Sequence, residues 1–167
     1  MYAVLLATDQ MTKIITYNNK YKEQLVKLIL SILKDEFGYA DTDIERQDLY
    51  DIQNVYQQDP KSNFWLAIYG NKVVGTIAIK YYGKDRGLLK RMYVKKEMRN
   101  KGIGQELTNT LLAFAKNSHY KNIFLSTVEK FVSARNFYKN KGFVEIKKLP
   151  EDLAAPTGDN VFLKLTL

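Results

Sequence analysis

The hexapeptide Arg99-Asn100-Lys101-Gly102-Ile103-Gly104 sets two glycines and two cations just ahead of Ile103, Leu107, Leu111 and Phe114, which repeat at helical spacing. Glycines at the mouth of a helix leave backbone N–H groups uncovered, and those groups carry the positive end of the helix dipole. A turn of this kind cradles phosphate oxygens. It is not a Walker loop, because no Gly-Lys-Ser/Thr closes it, and it is not G-x-G-x-x-G, because Leu107 stands at the third glycine's place. A P-loop nucleotide and a Rossmann-type dinucleotide are therefore poor matches for the ligand.

Two further stretches bear on chemistry. In Leu89-Lys90-Arg91-Met92-Tyr93-Val94 the apolar residues Leu89, Met92 and Val94 are spaced by three and then two, which a strand of period two cannot keep on one face. An extra residue at Lys90 or Arg91 restores the register, which predicts a β-bulge. Ser133-Ala134-Arg135-Asn136-Phe137-Tyr138-Lys139-Asn140-Lys141-Gly142-Phe143 reads as a short helix stopped by glycine and turned into a strand. The chain has no cysteine and one histidine, which excludes disulfides, thiolate metal sites, a histidine metal cluster and a cysteine nucleophile. Its chemistry must come from Tyr, Glu, Asp, Lys, Arg and the backbone, with no metal.

These motifs resemble the GNAT superfamily of N-acetyltransferases. The family's phosphate loop, Arg/Gln-x-x-Gly-x-Gly/Ala, is matched by Arg99, Gly102 and Gly104; its later Ala-x-x-Phe/Leu-Tyr-x-x-x-Gly-Phe is matched by Ala134, Phe137, Tyr138, Gly142 and Phe143. The resemblance implies acetyl-CoA as cosubstrate, with its pyrophosphate on Arg99, Asn100, Lys101, Gly102, Ile103 and Gly104. It also implies that the bulged fourth strand splays from the fifth, and that the pantetheine arm enters the gap and bonds to backbone near Met92, Tyr93 and Val94. A strand N–H there can polarise the thioester carbonyl. Tyr138 stands at the family's tyrosine position, where its hydroxyl protonates the departing thiolate. Many members carry Asn seven residues before that tyrosine; here the residue is Phe131.

Acetyl transfer needs a neutral amine, and a lysine-like amine has a reference pKa of about 10.4. Several family members use a glutamate on the bulged strand as base, but Lys90 and Arg91 occupy those positions here. Glu129 and Glu36 are the alternatives, and ordered water is another. Transfer is expected to be direct, to a small-molecule amine in preference to a protein amine. A silent acyl-CoA sensor is one alternative and a basic nucleic-acid-binding module another, although the aromatic residues do not interleave with the basic ones as on stacking platforms.

The elements that must position these residues follow in order. Lys13–Tyr17 is a first short strand, and Tyr21–Phe37 is an amphipathic helix carrying Tyr21, Leu25, Leu28, Ile29, Ile32 and Leu33. An acidic stretch from Asp35 to Asp51 leads into a weaker helix pattern through Leu49, Ile52, Val55 and Tyr56, ended by Pro60. Its carboxylates read as solvated surface. Asn63–Tyr69 and Lys72–Tyr82 form a hairpin across Gly70-Asn71. The bulged strand, the phosphate-loop helix, a strand at Ile123–Thr127, a short helix and two strands at Phe143–Lys148 and Val161–Leu165 complete the chain. The loop Leu149–Asp159 joins the last two. The fold class is thus α/β (α+β): one GNAT-like domain over residues 12–167, a mixed, mostly antiparallel sheet of about seven strands with about four helices. Residues 1–11 are expected to form a loose extension. Trp65 and His119 read as structural.

The 167-residue chain carries 26 Lys and Arg against 18 Asp and Glu, a net charge of +8. Part of that surplus, Lys90, Arg91, Lys95, Lys96, Arg99 and Lys101, clusters around the phosphate loop and suits a polyphosphate better than a long polynucleotide. The apolar opening Met1–Ala7 lacks a basic flank and is too short to span a bilayer, which predicts a cytoplasmic protein, monomeric or homodimeric, with no membrane partner.

Overall fold

The computed structural model describes residues 11–39 and 44–167. The N-terminal extension expected over residues 1–11 lies, but for Met11, outside them. Within the described residues seven strands form one sheet: β1 (Lys13–Thr16), β2 (Asn63–Tyr69), β3 (Lys72–Tyr81), β4 (Arg86–Val94), β5 (Asn122–Thr127), β6 (Val144–Ile146) and β7 (Val161–Thr166). Their order is β1-β2-β3-β4-β5-β7-β6. Every pairing is antiparallel except β4 with β5, because α2 crosses between those two strands.

Among the described residues three α-helices flank the sheet: α1 (Lys22–Phe37), α2 (Ile103–Asn117) and α3 (Val132–Asn140). Residues of β2 alternate between two cores, as the pleat requires. Trp65 and Ala67 face the core built with α2 and α3, where Ile103, Leu107, Leu111 and Tyr138 are buried. Phe64, Leu66 and Ile68 face the core built with α1, beside Leu25, Ile29 and Ile32. Trp65 meets Phe114 of α2 edge to face at 5.1 Å, so it is core as expected. The β2–β3 turn has φ of 52° at Gly70 and 62° at Asn71, the left-handed pair that a two-residue hairpin needs.

The helix expected before Pro60 is not an α-helix. It folds as a 3-10 segment, Ile44–Tyr50, followed by a π-helical turn, Gln53–Gln57. Short polar side chains compete with a regular ladder there: Asp51 takes both hydrogen bonds of the Asn54 amide, at 2.8 and 2.9 Å. Asp48 is drawn inward instead of lying on a solvated face. Among the described residues no helix is long and apolar enough to cross a membrane.

Candidate active site

The sheet opens at its centre. β4 pairs with β5 only through Arg86, Gly87 and Leu88, matched to Asn122, Ile123 and Phe124, after which the strands part. On its other side β4 stays paired to β3, but Thr76 stands opposite Tyr93 and Ala78 opposite Lys90, so β4 holds one residue more than its partner. This is the bulge the apolar spacing predicted, and it falls at Arg91, whose φ is 54°. The Thr76 hydroxyl fixes it by donating to the Arg91 carbonyl at 2.7 Å. Beyond the opening lies a cleft of about 760 Å³.

The loop over residues 99–104, expected from the sequence to hold phosphate, forms one end of this cleft. Gly102 caps α2 with φ 82°, a left-handed conformation, and no side chain caps the helix. The first N–H groups of α2 therefore have no partner within the helix. Gly104 is constrained differently, by crowding: a Cβ there would come within 3.2 Å of Met92 Cε and 4.0 Å of Phe137 Cζ. Asn100 is also left-handed, at φ 59°. Arg99 ties the loop to its surroundings, donating from Nε to the Val94 carbonyl at 2.9 Å and from its two terminal nitrogens to Glu36 at 2.8 and 2.7 Å.

The sequence-predicted residues divide accordingly. Met92, Tyr93, Val94, Arg99, Asn100, Gly102, Gly104, Glu36 and Tyr138 all line the cleft. Lys101 is exposed and stands beside Met98, while Ile103 is buried in the core, leaving its backbone N–H as its contribution to the loop. Glu129 is exposed and does not line the cleft; its N–H donates to Asn160 Oδ1 at 2.8 Å. Glu36 gives both carboxylate oxygens to Arg99, so it acts as the counter-ion of the phosphate-loop arginine. His119 ends its helix in the left-handed conformation, exposed and structural.

Tyr138 is buried against Phe137 and Phe143, with ring centroids 5.5 and 5.7 Å away. Burial first, and the nearby Tyr93 hydroxyl second, push its pKa well above the usual 10.0. The phenol therefore stays protonated across the physiological range and remains a proton donor. Phe131, seven residues before Tyr138, packs its ring tilted at 38° against Phe37, with centroids 4.3 Å apart, and makes the cleft wall apolar at that point.

Sequence reasoning missed the charged assembly on the α1 side. Arg91 donates from Nε and a terminal nitrogen to Asp48 at 3.0 and 2.5 Å, and Tyr56 donates to the same carboxylate at 2.5 Å. The Arg91 and Asp48 side chains are 10% and 12% exposed. Burial opposes the charge on Asp48, but the Arg91 guanidinium outweighs it and holds the carboxyl below its ordinary 3.8. Burial likewise opposes the charge on Arg91, and Asp48 more than offsets it. Tyr56 is raised well above 10.0, by burial first and by Asp48 next. The bulge and its place at Lys90 or Arg91 follow from the apolar spacing; that Arg91 turns toward an aspartate 43 positions away does not.

Known proteins share this architecture. A crystal structure of a GNAT-family acetyltransferase from Staphylococcus aureus Mu50 is 38% identical, with a TM-score of 0.87, covering 93% of this chain and 99% of that one. PaiA N-acetyltransferase from Thermoplasma acidophilum, solved in complex with coenzyme A, shares the fold with a TM-score of 0.77 at 18% identity, covering 94% of this chain and 99% of that one. Among curated proteins, N-acetylaspartate synthetase of Xenopus tropicalis is 36% identical over 102 residues, which is 60% of this chain but 38% of that protein. The family model for the acetyltransferase (GNAT) family matches residues 26–143. With more than half its length matched by that model, and with the opened sheet and glycine-capped helix in place, the chain belongs to the GNAT acetyltransferase family.

Proposed function

We propose that this protein moves the acetyl group of acetyl-CoA directly to the primary amine of a small molecule. The observation that carries the reading is the parting of β4 and β5, with the uncapped start of α2 at one end of the gap and Tyr138 beside it. The residues suit the cosubstrate: the N–H groups at Gly102, Ile103 and Gly104 are free of intrahelical partners, and the absence of a Cβ at Gly104 keeps the approach open. The complex of the Thermoplasma protein with coenzyme A supports the same ligand class by analogy of fold. Acetyl-CoA supplies an activated acyl thioester.

The chain's own residues then have separate tasks. The α2 N-terminus holds the pyrophosphate, and the β5-facing edge of Met92 and Tyr93 acts as a strand partner for the amides of the pantetheine arm. Tyr138 gives its hydroxyl proton to the departing sulfur. The apolar wall of Phe37 and Phe131 limits water. With no cysteine in the chain, nothing offers a thiol to carry the acetyl group, so transfer is direct. The name of the curated relative, N-acetylaspartate synthetase, puts amino acids among the acceptors to try.

The test is thiol release from acetyl-CoA across a panel of primary amines, amino acids included, with the acetylated product identified by mass. Thiol release matched by an N-acetylated product is expected. Tight acetyl-CoA binding without turnover on any amine would replace this reading with that of an acyl-CoA sensor.

A further inference from the structure

The gap between β4 and β5 has two faces. Met92, Val94 and Tyr138 belong to the core on the α2 and α3 side, whereas Tyr93 belongs to the core on the α1 side. On the reading above the cosubstrate lies on the first face, beside the start of α2 and Tyr138, which leaves the second to the acceptor. Between the two runs the backbone of the bulge.

That backbone is held in a conformation that side chains rarely adopt. Among the described residues Arg91 is the one non-glycine inside a strand with positive φ, at 54°; the others all stand in turns. A bulge that puts its first residue in this region usually has glycine there, because a Cβ crowds the following carbonyl. A side chain persists in it where the surroundings hold it. Arg91 is held at two points by two elements: its guanidinium by Asp48 of the 3-10 segment, and its carbonyl by the Thr76 hydroxyl of β3 at 2.7 Å.

Thr76 is fully buried, at 0% exposure, and does not line the cleft. In β3, Ile77 lies in the core on the α2 side and Ala78 in the core on the α1 side, so by alternation Thr76 turns to the α1 side. From there it draws the Arg91 carbonyl toward β3 and the α1 face. The peptide between Arg91 and Met92 is trans, so its N–H points opposite to its carbonyl. The Met92 N–H therefore points away from β3, into the gap that β5 has left, and toward the face that carries Tyr138. Because the β4–β5 pairing ends at Leu88, it has no strand partner there.

We infer that Thr76 is a positioning residue for the thioester carbonyl: by fixing the Arg91 carbonyl it aims the Met92 N–H at the oxygen on which negative charge gathers during transfer. This rests on the acetyltransferase reading above. A donor fixed in advance needs no reorganisation as that charge develops, and one such donor is typically worth about 100-fold or more in kcat. The Thr76 hydroxyl also polarises the peptide it bonds, which strengthens the N–H at its other end.

The experiment compares Thr76→Val, which removes the hydroxyl and keeps a branched side chain of nearly the same size, with Thr76→Ser, which keeps the hydroxyl. Amide-resolved NMR is recorded with coenzyme A and with acetyl-CoA, no amine present, so that the two ligands differ by the acetyl group alone. In wild type the Met92 amide proton is expected to move further downfield with acetyl-CoA than with coenzyme A. In Thr76→Val that difference is expected to vanish while calorimetry shows both ligands still bound. On any amine that turns over, Thr76→Val should lose between about tenfold and 100-fold in kcat with KM for acetyl-CoA within about threefold, and Thr76→Ser should recover most of the loss. If Thr76→Val does not fold, Thr76→Ala takes its place, and the NMR comparison stands whether or not an amine has been found. An unchanged Met92 difference in the variant without the hydroxyl would overturn the role of Thr76, as would losses that Thr76→Ser does not recover, which mark packing alone. A wild-type Met92 amide that responds alike to two bound ligands would overturn it as well. Failure of wild type to bind acetyl-CoA would overturn the cosubstrate reading instead, and this inference with it.

Discussion

The two faces of the cleft are built from different material. On the α2 and α3 side the groups proposed to bind the cosubstrate are backbone: left-handed Gly102, the open approach at Gly104, and the β4 edge left exposed where β5 departs. On the α1 side stand side chains joined in pairs across long stretches of chain, Asp48 to Arg91 and Ser126 to Asp159. A ligand shared by every enzyme of a family can be met by backbone geometry, which tolerates drift in side chains. An acceptor that differs from one member to the next has to be met by side chains, and under the proposed function specificity is expected on that side.

Substitutions on the two faces should therefore fail in different ways. The largest effect is expected from Gly104→Glu, which sets a carboxylate where the proposed function puts the pyrophosphate; the added Cβ meets the flexible end of Met92, so the fold is expected to be retained. Acetyl-CoA affinity should fall by about 100-fold or more in calorimetry, with circular dichroism unchanged. Equal affinity would remove the phosphate loop from the account.

Next is Tyr138→Phe, which keeps the ring and its contacts with Phe137 and Phe143. It should lower kcat and kcat/KM together by about 100-fold with acetyl-CoA binding intact. Because burial raises this phenol's pKa above 10.0, the acid it supplies is not lost as pH rises toward 10. A basic limb below pH 10 that vanished in the Phe variant would contradict this.

Asp48→Asn should act on stability. It removes the Asp48 charge from beside the Arg91 guanidinium, 10% exposed, at a cost of about 3 kcal/mol, or roughly 6–12 °C in Tm for a domain of this size. The sign with pH follows from the depressed folded-state pKa of Asp48. Its contribution is present in full well above the unfolded value of 3.8, which includes neutral pH, and is lost as pH falls below that value through the folded one. The variant should therefore approach wild-type stability in strong acid. A stability difference that did not shrink there would show that Asp48 acts by packing and not by charge.

The smallest effect is expected from Glu36→Gln. The Arg99–Glu36 pair is partly solvated, with side chains 37% and 25% exposed, so its loss should cost no more than about 1 kcal/mol and change kcat by less than about tenfold. A 100-fold fall in kcat at unchanged acetyl-CoA affinity would make Glu36 the base after all.

The same contrast explains what could be read from the chain alone. The phosphate loop, the bulge and the Tyr138 helix are local signals, because glycine spacing and apolar period report backbone conformation within a few residues. β2 was legible to the residue, since hydrophobic β-branched and aromatic positions and the Gly70-Asn71 turn agree about it. The 3-10 and π segments after α1 were not legible, because Leu49, Ile52, Val55 and Tyr56 fit a helical stripe while Asp48 is captured by a residue on β4. Asp159 was hidden for the same reason: in sequence it is one more polar residue of a loop containing proline and glycine, and only the pairing of β7 with β5 brings it beside Ser126.

The most direct test of a backbone-built cofactor face opposed to a side-chain-built acceptor face is an amide-resolved NMR titration with coenzyme A, which binds without reacting. The account predicts the largest shifts at the N–H groups of Gly102, Ile103, Gly104 and Gln105, with a second set at Met92 and Tyr93, and little change at Asp48 and Tyr56. Shifts centred on Asp48, Tyr56 and the 3-10 segment, with the start of α2 silent, would contradict it.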